Sequence, residues 1–88
     1  MEIQQAAEKE MKRMKEIISN VKVISSDKKA LHFYDFAKNY HKDGIYFFNE
    51  KKFIESFEAF IISWAYIDCG LKLKFFQVPK AQKKWFTA

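Results

Sequence analysis

The sequence predicts an all-α protein: an antiparallel, up-down-up bundle of three helices that ends in a short basic and aromatic C-terminal tail. Two observations support this. Apolar residues recur every three or four positions along three long stretches, which is the spacing of one helix face. The 88 residues include only 2 glycines and 1 proline, fewer than the turns of a hairpin-rich β fold need. This length suits one domain, so we place the bundle at residues 1–76 and the tail at residues 77–88.

Each predicted helix is bounded by residues that interrupt its pattern. The first spans residues 2–24, and Asp27, which follows two serines, can cap the start of the second. The second spans residues 28–48 and the third spans residues 52–75, with a short turn between them. Pro79 stops the third helix from continuing, because proline lacks the amide proton that a helix interior uses. Connections this short make neighbouring helices antiparallel.

Gly44 lies inside the second predicted helix, on the side that carries its apolar residues. A glycine in a helix interior destabilises the helix by about 1 kcal/mol relative to alanine. Its presence therefore calls for a packing reason. We expect either the close approach of a neighbouring helix or a bulky aromatic side chain that needs the space.

Charge and motif content exclude several classes of function. The net charge of +5 is spread along the chain, whereas a dedicated duplex-binding protein concentrates its charge on one face. Cys69 is the only cysteine, so neither an intrachain disulfide nor a cysteine zinc cage can form. The chain lacks a nucleophile elbow, a phosphate-binding loop and a dinucleotide fingerprint. We expect no enzymatic activity, no cofactor and no membrane-spanning segment, and a cytoplasmic location.

Three carboxylates fall on or beside apolar helix faces and are therefore candidates for burial: Glu10, Asp43 and Asp68. A carboxylate that is removed from water must be hydrogen-bonded, ion-paired or neutral. In an antiparallel bundle Glu10 lies near the level of Tyr40, so a structural hydrogen bond that fixes helix register is one interpretation. A site for proton transfer, or for a metal or small molecule held by Asp43 and Asp68, is the other. Histidine at metal-ligand spacing from these carboxylates is missing, which disfavours the metal.

The third predicted helix carries more apolar residues than one core face requires. Ala59, Ile62 and Tyr66 lie one turn apart, within an arc that four polar residues mark as outward facing: Glu55, Ser56, Glu58 and Ser63. We therefore expect this line to be exposed in a monomer. Exposed contiguous apolar surface on a small protein usually marks an interface. The alternative is that aromatic residues of the tail fold back and cover the line.

The tail interleaves lysine with aromatic residues. Trp85 and Phe86 are further interface candidates, or else the anchors that hold the tail on the bundle. The candidates for a basic patch are Lys72, Lys74, Lys80, Lys83 and Lys84. Lysines beside aromatic rings suit weak binding of single-stranded nucleic acid, through phosphate contacts and base stacking. An ordinary solvated basic end is the competing interpretation.

A family pattern runs through the second and third predicted helices. It consists of Tyr40-x-x-Asp43-Gly44-x-x-Phe47-Phe48, then Phe57-Glu58-Ala59, then Ala65-Tyr66-x-Asp68-x-Gly70-Leu71. This pattern resembles that of the archaeal "domain of unknown function 357" family, over roughly residues 3–76. The resemblance implies a three-helix fold and an archaeal origin, and it marks Asp43 and Asp68 as family-like positions. It implies no mechanism, because the family has no known function.

The sequence departs from the family pattern at two places. Gly44 stands where the family tends to have alanine, and the turn at residues 49–51 lacks the family's glycine. On all of these grounds we predict a small helical interaction module without catalysis, self-associating or a subunit of a complex. Weak binding of single-stranded nucleic acid through the tail is the alternative function.

Overall fold

The predicted all-α fold of three helices is confirmed by the computed structural model, which describes residues 2–88. The helices are α1 (Ile3–Asn20), α2 (Lys28–Asn49) and α3 (Phe53–Lys72). Two short antiparallel strands, β1 (Lys22–Val23) and β2 (Phe76–Gln77), join the end of α1 to the segment after α3. A 3₁₀ helix at Lys80–Trp85 follows within the tail. The centre of the bundle is filled by Met14, Ile17, Phe60 and Ile67, whose side chains are fully buried.

The first and third helices end earlier than their apolar patterns predict. Instead of continuing to residue 24, α1 ends at Asn20, and Val21 turns into extended backbone with ψ of 139°. The Ile24 amide then donates to the Phe75 carbonyl at 2.9 Å, next to the β1–β2 pair. At the other side Lys74 takes a left-handed conformation with φ of 63°, which ends α3. The apolar residues after each helix are buried by this pairing rather than by further helical turns.

Stripes of small residues bring α2 and α3 together. Ala30, Ala37 and Gly44 recur every seven residues on α2, and Ser56, Ser63 and Gly70 do so on α3; all six are buried. The Ser56 hydroxyl donates to the Gly44 carbonyl at 2.7 Å, and the Ser63 hydroxyl donates to the Ala37 carbonyl at 2.6 Å. The expectation that these serines face outward is therefore wrong, because each hydroxyl finds its partner in the backbone of the adjacent helix.

Gly44 has the packing reason that the sequence led us to expect. A Cβ at this position would lie 2.5 Å from Cε1 of Phe60, well inside van der Waals contact. Phe60 is fully buried, so its ring has no free space to move into. The missing side chain of Gly44 thus provides the room for the largest core residue of α3.

The tail folds back on the bundle, over the side of α3 that carries Trp64. The Trp64 indole donates to the Trp85 carbonyl at 2.9 Å, and the Phe86 ring stacks on Trp64 with their centroids 6.0 Å apart. Gln82 is buried and donates to the Glu16 carbonyl of α1 at 3.2 Å. The tail is thus held by both α1 and α3.

Candidate interaction surface

The line of Ala59, Ile62 and Tyr66 is not the exposed surface that the helical wheel predicts. Ala59 is only 5% exposed. Tyr66 is half-buried and stacks against Phe36 and Tyr40 of α2, with centroid distances of 5.3 and 6.0 Å. Only Ile62 is exposed. The prediction was wrong because Ser56 and Ser63, which it took as outward markers, are buried against α2, and this side of α3 packs there.

The tail does not cover this line either. Phe86 and the Trp85 carbonyl contact Trp64, and no tail residue lines the groove that contains Ile62 and Tyr66. The line is thus neither exposed as a whole nor covered by the tail, the two possibilities that the sequence left open. Packing of α2 buries the line in part, while the tail protects a different side of α3.

The side of α3 that does face outward is uncharged over several turns. We call it the α3 face, and it consists of Ile61, Ile62, Ala65, Cys69 and Leu73. Ile61, Ile62 and Leu73 are each more than a third exposed. Together with Phe33 and Tyr66 these residues line an open groove of about 420 Å³. Because α3 is apolar on its inner and outer sides alike, burial in the bundle leaves this second side in water.

Acidic side chains border one end of the α3 face. Asp43, Glu55 and Glu58 line a neighbouring groove of about 230 Å³, which shares Ile62 with the first. None of the three forms an ion pair with any residue between 2 and 88. Asp43 is exposed, so the expectation that it is buried is wrong. It projects from the outer side of α2, beside the groove rather than into the core.

Basic side chains border the opposite end. Lys72, the last residue of α3, and Lys74, two residues beyond the helix, are both exposed. The Lys72 ammonium lies 3.6 Å from a carboxylate oxygen of Asp68, yet its side chain remains 53% exposed. The uncharged α3 face is therefore flanked by acidic residues toward the start of the helix and by basic residues toward its end.

Glu10 is buried and bonded within its own helix. Its carboxylate accepts from the Arg13 Nε atom at 2.9 Å and pairs with a second guanidinium nitrogen. The expected partner at the level of Tyr40 is not used. Arg13 lies one turn further along α1 and reaches the carboxylate without crossing to another helix. Glu10 therefore has a structural partner, and the structure gives it no link to the other two candidate carboxylates.

Asp68 is the buried carboxylate that holds the tail. One oxygen accepts from the backbone amides of Thr87 and Ala88 at 2.9 and 3.3 Å, and the other accepts from the Thr87 hydroxyl at 2.6 Å. Burial alone would raise the Asp68 pKa, but the Thr87 hydrogen bonds, the Lys72 charge and the Ala88 amide together bring it below its ordinary value. Asp68 and Asp43 are not brought together, so the site proposed between them is not formed.

His41 borders the core, as its position on α2 indicates. Its ring lies 5.8 Å from that of Phe60, and its Nε2 atom is buried without a hydrogen-bond partner among residues 2–88. Burial lowers its pKa, which favours the neutral imidazole. No cluster of three or more His, Cys, Asp or Glu side chains in that range is placed to hold a metal ion.

The basic residues of the tail lie at the surface. Lys80, Lys83 and Lys84 are exposed, whereas Trp85 is half-buried. Trp85 also lines a cleft of about 490 Å³ beside α1, together with Lys9, Lys12, Arg13 and Glu16. Two of these cations are already engaged, Lys12 with Glu8 at 3.6 Å and Arg13 with Glu10.

The fold and this surface define a class of small helical proteins. In this class α1 packs against a tight α2–α3 hairpin, and the short β1–β2 pair joins the ends of α1 and α3. Within residues 2–88 no helix has both the length and the apolar character that a bilayer crossing demands. The chain belongs to the DUF357 family, described as "Protein of unknown function (DUF357)", whose family model matches residues 4–76.

A solved structure supports the fold. The chain is similar to the crystal structure of protein AF1782 from Archaeoglobus fulgidus, a DUF357 protein, with a TM-score of 0.74 and 19% sequence identity. The match covers 88% of this chain and 93% of that one. No curated protein matches the sequence. The family match bears out the resemblance seen in the second and third helices, and it leaves the function of the chain as a matter for proposal.

Proposed function

We propose that the chain is a protein-interaction module of the cytoplasm that binds through the α3 face, as a homodimer or as a subunit of a complex, and that it is not an enzyme. The observation that carries the proposal is the exposure of Ile61, Ile62 and Leu73 around Ala65 and Cys69, without a charged side chain among them. Contiguous apolar surface of this kind typically marks a contact site on a small protein.

The chemistry of the face favours association. Transfer of apolar side chains from water stabilises a complex by about 25 cal/mol per Å² of surface buried. A face without charges avoids the loss of hydration that a buried unpaired charge would suffer. The acidic and basic residues lie at the two ends, where they remain hydrated and can select a partner of suitable charge pattern.

The partners of the candidate carboxylates support the proposal that the chain is not an enzyme. Glu10 is bonded to Arg13, and Asp68 is bonded to Thr87, Ala88 and Lys72. Catalytic carboxylates instead need a free oxygen directed at a substrate. Asp43 has such freedom, but it stands at the border of an apolar groove beside two further acids.

A capture experiment with matched surface variants tests the proposal. The tagged chain is incubated with native extract, with and without nuclease, beside Ile62→Glu and the control Leu31→Glu. Ile62 belongs to the α3 face, whereas the more exposed Leu31 lies on α2 and lines neither groove. We expect Ile62→Glu to abolish either self-association, measured by light scattering, or the capture of a defined protein from the extract. Leu31→Glu should preserve both. Equal behaviour of the two variants would refute the proposal.

Binding of single-stranded nucleic acid is the second candidate function, and the cleft beside Trp85 favours it. Lys9 lines this cleft together with the Trp85 ring, a combination that suits phosphate contact and base stacking. The other two cations of the cleft, Lys12 and Arg13, are paired with Glu8 and Glu10. The candidate predicts binding of a labelled oligonucleotide that weakens steeply with added salt. Lys9→Glu, within the cleft, should reduce that binding, and so should Lys83→Glu combined with Lys84→Glu in the tail. Affinity that does not respond to salt or to these changes would remove the candidate.

A further inference from the structure

We propose that the partner of the α3 face is a second copy of this chain, with the two α3 helices antiparallel and crossing at Ala65. This inference rests on the proposed function and identifies its partner. It follows from two opposite charges on α3, Glu58 and Lys72, which lie equally far from Ala65 on either side.

Glu58 and Lys72 are equally far from Ala65 along the helix. Glu58 lies seven residues before Ala65 and Lys72 lies seven residues after it. Seven residues of α-helix span about 10 Å along the axis. A twofold axis through Ala65 exchanges the two ends of the face, so that Glu58 of each copy meets Lys72 of the other.

Both residues of this pair are available for such a contact. Glu58 is exposed and makes no ion pair within the part of the chain that the structure describes. Lys72 keeps a 53% exposed side chain beside its contact with Asp68. A symmetric dimer forms each such pair twice, which is the property of an interface that uses the same surface on both copies.

The residues between the charges suit helix–helix packing. Ala65 is small, so the two backbones can approach closely where they cross. Ile61 of one copy lies opposite Cys69 of the other, since they are four residues to either side of Ala65. The exposed Ile62 flanks this seam, and the exposed Leu73 lies just beyond Lys72. An unrelated protein partner would not require the signs of charge to reverse about the centre of the face.

Cysteine cross-linking tests whether the two α3 helices are antiparallel and whether they cross at Ala65. In the proposed dimer the two Cys69 residues lie about 12 Å apart along the helix axes, beyond the reach of a disulfide. Mild oxidation of the wild-type chain should therefore leave it uncross-linked. Ile61→Cys should cross-link to Cys69 of the second copy, and Ala65→Cys in a Cys69→Ser background should cross-link to itself. Leu31→Cys in the same background is the control and should stay monomeric on a denaturing gel.

The cross-links have clear contradicting outcomes. Cross-linking of the wild type through Cys69 would show that the two helices run parallel or cross at Cys69, and either result would overturn the proposed geometry. Failure of both Ile61→Cys and Ala65→Cys to cross-link more than the Leu31→Cys control would also overturn it. Circular dichroism of each variant shows whether it folds, and variants that fold decide the result.

Charge reversal gives a second, independent test by sedimentation equilibrium. Glu58→Lys alone and Lys72→Glu alone each place like charges together at two symmetric sites, so we expect dimer dissociation constants on the order of tenfold higher. The double variant restores opposite charges and should return to within about threefold of the wild type. Lys72→Glu also faces Asp68, so near-ultraviolet circular dichroism checks that the tail stays docked in each variant that carries it. A Glu58→Lys variant that dimerises like the wild type, or a double variant with a docked tail that is not rescued, would contradict the pairing. A chain that is monomeric at every concentration overturns the inference, while Ile62-dependent capture of another protein would still support the proposed function.

Discussion

Single small residues decide how α2 and α3 meet. Gly44 could be recognised from the sequence, because a glycine in a helix interior is unfavourable unless packing compensates for it. Ser56 and Ser63 could not, since serine is usually found at the surface. Their hydroxyls are satisfied by the Gly44 and Ala37 carbonyls, which removes the penalty of burying them. The seven-residue spacing that they share with Gly70 was the available signal.

Gly44→Ala tests this packing. The added methyl group would meet the Phe60 ring at 2.5 Å, so we expect the free energy of unfolding to fall by about 1–3 kcal/mol despite the better helix propensity of alanine. Chemical denaturation followed by circular dichroism gives the value. Asn39→Ala, at an exposed site of the same helix, is the control and should change stability by less than about 0.5 kcal/mol. An increase in stability for Gly44→Ala would contradict the close contact.

At the scale of secondary-structure elements, the segments that follow α1 and α3 are the part of the fold that the sequence did not predict. The apolar periodicity located the three helices, but it continued through Val21 and Ile24 and past Lys72. Strands of two residues form only because distant segments meet, as Val23 meets Phe76. No local pattern in either segment specifies that pairing. Likewise, the docking of the tail depends on Asp68, whose partners lie nineteen and twenty residues away.

Asp68→Asn tests the attachment of the tail. The amide group keeps the size of the side chain but removes the charge and turns one acceptor into a donor. Hydrogen bonds to a charged group stabilise by about 1.5–3 kcal/mol, so we expect unfolding to become easier by roughly that amount. The Trp64–Phe86 stack should loosen as well, which near-ultraviolet circular dichroism detects. Unchanged stability and an unchanged aromatic signal would show that Asp68 does not hold the tail.

Acidification provides a reversible form of the same test. The Asp68 pKa is lowered in the folded protein, so its stabilisation is complete above the ordinary value of 3.8 and is lost as the pH falls through the lowered value. We expect the aromatic signal of the wild type to change below about pH 4. The Asp68→Asn variant lacks this group and should show a smaller change over that range. Identical pH profiles for the two proteins would argue against the assignment.

At the scale of the whole molecule, the surplus of apolar residues on α3 was predictable and its exact location was not. Composition alone indicates that one core face cannot use them all. Which side remains exposed depends on α2, which packs over Ala59 and Tyr66, and on the tail, which covers Trp64. What stays exposed is the α3 face, bordered by acids at one end and lysines at the other. The proposed function depends on the exposure of this surface.

Methyl NMR during dilution tests most directly whether the α3 face binds the same face of a second copy. The resonances of Ile61, Ile62 and Leu73 are followed as the concentration falls, with Leu31 and Ile24 as exposed reporters outside the face. The account predicts that the first three shift together along one dimer-to-monomer curve and that Leu31 and Ile24 do not. Shifts confined to other residues, or no concentration dependence while the protein remains folded, would contradict it.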